Sequence, residues 1–347
     1  MTDNIEKHVL EAARDAYAAQ GDLRRRRMRY KRFTYGDQWG DIVRDSRGAL
    51  VREGDLMAAG GRPPLTNNLI RRLVKTIVGR WRTMAVESRR YDAPALYARL
   101  NSLAELDARM LEEFLISGCA IQRVSRENRV PAGSAVWVDN VSPRDFFVNA
   151  FSDPRGHDIR LVGMLHEMTP VELAARFGRK DRLRMAALLQ RARAIAGGDG
   201  IPAEPLVRDS SGEDFARARS GYCRVIEIWT LDSAVAPSGV DISMGWHCRW
   251  MLPDGTLLDQ YHSPFGHGSH PFAVKFYPLT DGEVHSFVED VVEQQKYINR
   301  LVVLIDKMMG ASAKGVLLFP MAQKSPLVSW EEIAERWSRT DGVIPVM

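Results

Sequence analysis

A long helical pattern toward the C-terminal end sets the strongest limit on how this chain folds. Residues 284–309, VHSFVEDVVEQQKYINRLVVLIDKMM, carry apolar side chains at three- and four-residue intervals. This spacing predicts one amphipathic helix with a single apolar face. At a rise of 1.5 Å per residue the helix is about 39 Å long. It is the longest helical signal in the chain.

Two shorter amphipathic patterns lie in the N-terminal part. Residues 3–19 predict a helix that stops at Gly21, and residues 67–82 predict a second helix with Thr66 or Asn67 as its N-cap. We expect the second helix to bury one apolar stripe and to expose its cations on the other face. The stripe comprises Leu69, Ile70, Leu73, Val74, Ile77, Val78 and Trp81.

The middle of the chain alternates between helical and strand-like patterns. A helix is predicted over 96–116 with Gly118 as its stop, and another over 170–177 after Thr169, with helical sequence continuing to about residue 196. Strand patterns occur near residues 120, 135, 145 and 160 and again from residue 222 to 279. KGVLLFP and SWEEIAERW predict a last strand and a short helix.

These patterns predict an α+β fold divided into five parts. They are an α/β body with a basic N-terminal arm (1–200), a loose polar connector (201–220), an antiparallel β meander (221–283), the long helix (284–310) and a mixed C-terminal segment (311–347).

Composition excludes several classes of protein. The longest aliphatic run, LVVLI at residues 301–305, is far shorter than the roughly 20 apolar residues that cross a bilayer. The polar N-terminus lacks the apolar core of a secretory signal, so we expect a protein made in a cytoplasm without membrane contact. Cys119, Cys223 and Cys248 form no close pair, which predicts free buried thiols.

Positive charge is concentrated in two N-terminal segments. Seven of the nine residues in RRRRMRYKR, 24–32, are cationic, and we expect this run to be a solvated face or an electrostatic arm rather than core. The helix over 67–82 adds further cations. The candidate contacts to nucleic acid or to another acidic partner are Arg24, Arg25, Arg26, Arg27, Arg71, Arg72 and Lys75.

The sequence contains no recognisable catalytic motif. A phosphate-binding loop, a nucleophile elbow, a zinc-protease helix and a dinucleotide-binding glycine set are all absent. We therefore predict no enzyme activity, no catalytic residue, no metal site and no cofactor. The best metal ligands would be His247, Cys248, His262, His267 and His270, but their spacing matches no closed zinc site. Asp281, Glu283, Glu289 and Asp290 are more simply explained as turn and helix N-terminal acids than as a magnesium site.

An ordered set of motifs resembles one protein family. The motifs are YGDQW (35–39), RPPLTNNLIRRLVKTIVGRWR (62–82), VSPRDFFVNAFSDPRGHDIR (141–160), VIEIWT (225–230), HPFAVKFYPLTDGEVHSFVEDVVEQQKYINRL (270–301) and SAKGVLLFP (312–320). Together they resemble the portal proteins, or head-to-tail connectors, of tailed double-stranded DNA bacteriophages. The most specific part is the Pro-Phe strand, the DGE turn and the helix with V-E-D-x-x-E-Q-Q-x-x-I-N-R.

The resemblance implies a ring, usually of about twelve subunits, around a channel that packages and ejects DNA. The body would be the wing, the long helix a stem, and 311–347 the start of a clip. Expected partners are other copies of the chain, the major capsid protein, the terminase large subunit, head-tail adaptor or neck proteins, and the DNA in transit. The implied location is the portal vertex of the virion, and the candidate stem or channel residues are Glu293, Lys296, Arg300 and Lys307.

One departure and two alternatives stay open. Family members continue past the clip with a second stem helix, a tunnel loop and often a crown, whereas this sequence stops at Met347, so either it is a fragment or the stem is placed elsewhere. The alternatives are a metal-dependent DNA-processing enzyme that uses Asp281, Glu283 and Glu289, and a non-portal nucleic-acid-binding scaffold that uses the basic arm.

Overall fold

The computed structural model describes residues 2–59, 64–88, 95–129, 133–179, 181–196, 215–235, 242–312 and 329–338. The chain divides into two compact units. The first contains residues 1–35 and 70–292, and the second contains residues 36–69 and 293–347. Within the described residues, no helix is both long enough and apolar enough to cross a membrane.

The first unit contains most of the helices and both larger sheets. Its helices are α1 (Thr2–Ala19), α2 (Gly21–Tyr35), α4 (Leu69–Ser88, which begins one residue before this unit), α5 (Ala95–Leu100), α6 (Leu103–Ser117), α7 (Pro170–Phe177) and α8 (Arg182–Ala196). Its strands are β3 (Cys119–Arg129), β4 (Gly133–Asn140), β5 (Phe146–Val148), β6 (Leu161–Met168), β7 (Cys223–Val235), β8 (Ile242–Met251), β9 (Leu257–His262) and β10 (Phe272–Phe276). The α+β class predicted from the sequence is confirmed.

The strands form two antiparallel sheets, with the orders β5-β6-β7-β8-β9 and β10-β3-β4. The meander predicted over 221–283 is therefore wrong in its bounds. It begins earlier, because β5 and β6 pair with β7, and it ends before β10, because Phe272–Phe276 pairs with β3. Trp229, Trp250, Phe146 and Phe272 are among the large side chains of the core formed around these strands.

The helix predicted over 96–116 is broken in the structure. Residue Ser102 has a left-handed backbone (φ 50°), which ends α5 and starts α6. The preceding Asn101 explains the break, because its side-chain amide donates to the carbonyl of Val136 and accepts from the N–H of Val138. The amide thus pairs with the free edge of β4 as another strand would. Gly118 ends α6 at φ 74° as predicted, and a Cβ there would lie 2.5 Å from the carbonyl of His285.

The second unit contains a small hairpin and most of the long helix. The hairpin pairs β1 (Ile42–Arg44) with β2 (Leu50–Arg52), and α3 (Glu53–Ala59) follows it directly. The long helix, α9, covers Phe287–Ser312 and passes from the first unit into the second at residue 293. The short helix α10 (Trp330–Ser338) confirms the helix predicted for SWEEIAERW. Residues 201–214 of the predicted connector, the KGVLLFP strand and the last residues, GVIPVM, lie outside the described residues.

Candidate functional site

Three amide side chains and one backbone segment form a hydrogen-bonded network on α9. Gln295 and Asn299 lie one turn apart on the helix and are almost completely buried. The Asn299 Nδ2 donates to Gln38 Oε1 (2.6 Å), and the Gln295 Nε2 donates to the carbonyl of Asn67 (2.7 Å). The Gln295 Oε1 accepts from the N–H of Leu69 (2.9 Å), a donor that α4 leaves without a helical partner. We call Gln38, Asn67, Gln295 and Asn299 the amide clamp.

The clamp changes the predicted N-terminus of α4. The sequence offered Thr66 or Asn67 as a side-chain cap, but the Thr66 hydroxyl accepts a hydrogen bond from the Trp39 indole (3.0 Å). The N–H groups of Asn67 and Leu69 are instead satisfied by the side chains of Asn299 and Gln295, more than 200 residues away in sequence. The start of the helix therefore receives tertiary hydrogen bonds from α9.

Two ion pairs flank the clamp on the same helix. Lys296 Nζ lies 2.6 Å from an Asp41 carboxylate oxygen, and Arg300 Nη2 lies 2.8 Å from a Glu53 oxygen. Lys296 is mostly buried and its charge is paired inside its own unit, and its assignment as a stem or channel residue stays a prediction. Arg300 remains partly exposed beside its partner. Glu293 and Lys307 lie on the predicted helix, and their role in a channel stays a prediction.

These contacts bring three distant motifs together. YGDQW supplies Gln38, RPPLTNN supplies Asn67, and the EQQKYINR segment supplies Gln295, Lys296, Asn299 and Arg300. Three of the six motifs that carried the family resemblance are therefore parts of one polar junction. Sequence reasoning missed it. The only signal was the recurrence of uncharged amides within otherwise amphipathic or aromatic segments.

From Tyr297 onward, α9 exposes a row of large apolar side chains. Their exposed fractions range from 36% to 69%. Their three- and four-residue spacing places them along one side of the helix. We call this row the apolar stripe: Tyr297, Leu301, Leu304, Ile305, Met308 and Met309. A soluble monomer rarely leaves such a row uncovered, so the stripe has the character of an interface.

A cavity of about 510 Å³ lies within the second unit. Its apolar walls come from β1, α3 and α9: Val43, Leu56, Met57, Val303 and Leu304. The Glu53–Arg300 ion pair and Lys307 also line it. Volumes of roughly 300 to 1,000 Å³ are typical of binding pockets.

The basic run in α2 is not a solvated arm. Arg24 and Arg27 are buried, with exposed fractions of 3% and 7%, so the prediction that the run lies outside the core is wrong. Arg24 stacks over the Tyr17 ring (3.6 Å to the centroid) and donates to the carbonyl of Tyr17. Arg27 forms a two-bond pair with Glu113 (2.5 and 2.7 Å). Burial alone would disfavour its charge, but Glu113 outweighs burial and raises the pKa of Arg27.

The two other arginines of this run differ from each other. Arg26 is half-buried, donates to the carbonyl of Val284 (3.1 Å) and reaches Glu289 at 3.4 Å. Arg25 is exposed and pairs only weakly with Asp22, at 3.3 Å. Of the four arginines at 24–27, Arg25 alone has a largely exposed side chain.

The cations of α4 lie as predicted on its exposed side. Ile70, Val74 and Val78 are buried, while Arg71, Arg72 and Lys75 are exposed. The buried apolar face predicted for α4 is narrower than expected, because Leu69 and Leu73 are also exposed. The α4 cations therefore keep their status as candidate contacts to an acidic partner.

Substituting Arg27 or Arg25 with alanine separates structural arginines from surface ones. We expect Arg27→Ala to lower the free energy of unfolding by about 2 kcal/mol, because it strands the partly buried Glu113 carboxylate. Arg25→Ala removes the same charge from the same helix and should leave stability unchanged within error. Urea unfolding followed by circular dichroism measures both variants. Equal stability of the two would contradict the structural role of Arg27.

The histidines of the proposed metal set do not converge. His247 and His262 face each other across β8 and β9 with ring centroids 4.7 Å apart, while His267 stacks on Phe265 and His270 packs edge-on against Trp246. Burial, aided by nearby His267, lowers the pKa of His270 to about 4. Cys248 is buried. Among the described residues no group of three His, Cys, Asp or Glu side chains is arranged to hold a metal ion.

The carboxylates of the alternative nuclease centre also have separate roles. The side chain of Glu283 is exposed and pairs with His285 (3.2 Å). Glu289 closes a capping box at the start of α9, since its carboxylate accepts from the N–H of Ser286 and the Ser286 hydroxyl accepts from the N–H of Glu289. Asp281 lies in a short 3-10 turn with φ 53°. The structure does not bring these three groups together.

A buried ion pair joins the two large sheets of the first unit. Glu227 of β7 is completely buried and accepts from Arg123 Nη2 of β3 (3.3 Å) and from the Trp229 indole (2.9 Å). The His166 ring lies 2.8 Å from its second oxygen. Burial acts to raise the pKa of Glu227, but Arg123 and His166 outweigh it and lower that pKa to about 2. Arg123, His166 and Trp229 all contact the Glu227 carboxylate, and its pair with Arg123 holds β3 against β7.

Comparison of the chain with protein-family models finds no match, and comparison with curated proteins finds none either.

Proposed function

We propose that this chain is the portal subunit of a tailed double-stranded DNA bacteriophage. Copies of it would form a ring at one capsid vertex through which DNA is packaged and ejected. The ring would bind the terminase motor during packaging and the neck proteins afterwards. The ordered sequence motifs support the proposal, and so does the meeting of three of them at the junction between α9 and residues 36–69.

The apolar stripe on α9 is the observation that carries most weight. A 26-residue helix that exposes six large apolar residues between positions 297 and 309 needs a permanent partner. Other copies of the same chain are always present at equal concentration, and closed rings are a common way to bury such a surface. A helix of this length, packed against the same helix of neighbouring subunits, would brace a channel.

The charges of the chain fit a protein that lets DNA pass without gripping it. Each phosphate that Arg or Lys neutralises releases counterions and adds affinity, which would slow a moving duplex. Lys296 and Arg300 have their charges paired on α9, and Arg24 and Arg27 are buried in the first unit. Arg71, Arg72 and Lys75 on α4 are the better candidates to meet an acidic surface of the shell or packaged DNA.

The test is the assembly state of the full chain. We expect negative-stain images and native mass spectra to show closed rings with a central channel. Ile305→Asp places a charge in the apolar stripe and should weaken assembly by at least roughly tenfold. Asp306→Ala alters the neighbouring exposed residue outside the stripe and should assemble normally. A wild-type chain that stays monomeric at all concentrations would refute the proposal.

A further inference from the structure

The cavity of the second unit and the apolar stripe share part of α9. On α9 the cavity is lined by Arg300, Val303, Leu304 and Lys307, which lie three and four residues apart on one face. Leu304 belongs to this face and also to the stripe. A partner that covers the stripe therefore also contacts Leu304 of the cavity lining.

The lining of the cavity defines the group that it would take. Leu56, Met57 and Val303 make its walls apolar. At one end the charge of Arg300 is balanced by Glu53 at 2.8 Å. Lys307, two turns further along α9, is exposed and has no carboxylate partner among the described residues. This arrangement suits a large apolar side chain that is followed closely by a carboxylate.

The start of α10 presents that combination with a tryptophan. Trp330 begins α10 with 44% of its surface exposed, and Glu331 next to it is also exposed. Trp330 does not line the cavity of its own chain. Tryptophan is the side chain most enriched among residues that dominate interface energies, and 510 Å³ is ample for one indole ring.

We propose that Trp330 of one copy enters the cavity of a neighbouring copy, where Glu331 pairs with Lys307. The contact joins two different patches, so it repeats from subunit to subunit and either closes into a ring or grows as an open chain. The inference rests on the proposed function, since it names the residues that would hold one portal subunit to the next.

A charge exchange tests the contact on the full chain. Lys307→Glu and Glu331→Lys should each weaken assembly about tenfold, because each places like charges together. The double variant restores the pair in reverse and should return assembly to within about threefold of wild type. Trp330→Ala should weaken assembly by roughly thirtyfold. Lys275→Glu makes the same charge change on the exposed side of β10 and is the matched control. Sedimentation velocity over a concentration series measures all five.

A photo-crosslinker identifies the occupant of the cavity. Benzoylphenylalanine replaces Leu56, and ¹⁵N-labelled chains are mixed with unlabelled chains. Crosslinked peptides that contain Trp330 and mix the two isotopes support the contact. Crosslinks within single chains only, or to other parts of a neighbour, overturn it.

The outcomes separate this contact from the proposed function. If wild type forms rings and the double variant stays as weak as the single ones, the contact is wrong and the portal proposal stands. If copies join through Trp330 in dimers or open chains without rings, the contact is right and the portal proposal fails. A wild-type monomer overturns both.

Discussion

Replacing Arg123 with alanine is expected to lower the free energy of unfolding by about 3–5 kcal/mol. The substitution takes the paired guanidinium of Arg123 away from Glu227, which is completely buried. A buried carboxylate without its cation costs far more than the net value of the pair, because the ion cannot regain its water. Arg126→Ala is the matched control, since it removes an exposed arginine from the same strand and should have little effect.

The cost of Arg123→Ala should depend on pH. In the folded wild type the pKa of Glu227 is lowered to about 2, because Arg123 and His166 outweigh the effect of burial. In the unfolded chain a glutamate titrates near a pKa of about 4.3. The ionised carboxylate thus stabilises the fold above about pH 4.3, and this contribution is lost as the pH falls toward 2.

In the variant the buried carboxyl of Glu227 lacks its cation, so its pKa should rise. The variant should then show no loss of stability from this group as the pH falls toward 2. The stability difference between wild type and Arg123→Ala should therefore be largest near pH 7 and smaller at pH 3. Urea unfolding at both pH values measures it. A difference of equal size at both would show that Arg123 contributes by packing alone.

The second large effect is expected at the amide clamp. Asn299→Ala removes the acceptor for the N–H of Asn67 and for Gln295 Nε2, as well as the donor to Gln38 Oε1. The substitution breaks three hydrogen bonds, each worth about 1 kcal/mol, so we expect a loss of about 3 kcal/mol in the stability of the second unit.

Hydrogen exchange locates the effect of Asn299→Ala. Amide protection in residues 38–59 and 64–69 should fall roughly a hundredfold, while β6, β7 and β8 of the first unit should keep theirs. Asp306→Ala, at an exposed position of the same helix, is the control. Unchanged protection in residues 38–59 would mean that the clamp adds little to the stability of the unit.

Local signals predicted several elements closely. Helix α7 runs over Pro170–Phe177 as predicted, because Thr169 and Glu172 form a capping box and Pro170 suits the first helical turn. Gly118 ends α6, since its backbone is left-handed. The amphipathic period of α9 predicted a helix within three residues of the observed bounds, Phe287–Ser312. Each of these outcomes depends on residues within a few positions of one another.

The candidate site was predicted less well, because its contacts join residues that are far apart in sequence. The charge pattern alone predicts that an arginine run is solvated. It does not indicate that Arg27 pairs with Glu113, which lies 86 residues away in sequence. Lys296 was predicted as a stem or channel residue, and the sequence did not indicate that it pairs with Asp41. The sequence did not show which groups the histidines of the loop contact, and in the structure His267 stacks on Phe265 while His270 packs against Trp246.

By itself, the sequence determined the α+β class, most helix and strand positions and the long amphipathic helix, because hydrophobic period, caps and breakers act over a few residues. Only the tertiary structure decided which strands pair, which arginines are buried, and that Gln38, Asn67, Gln295 and Asn299 meet. The reason is physical: a buried charge or amide is stable only when its partner is placed beside it, and that placement comes from the folded chain as a whole.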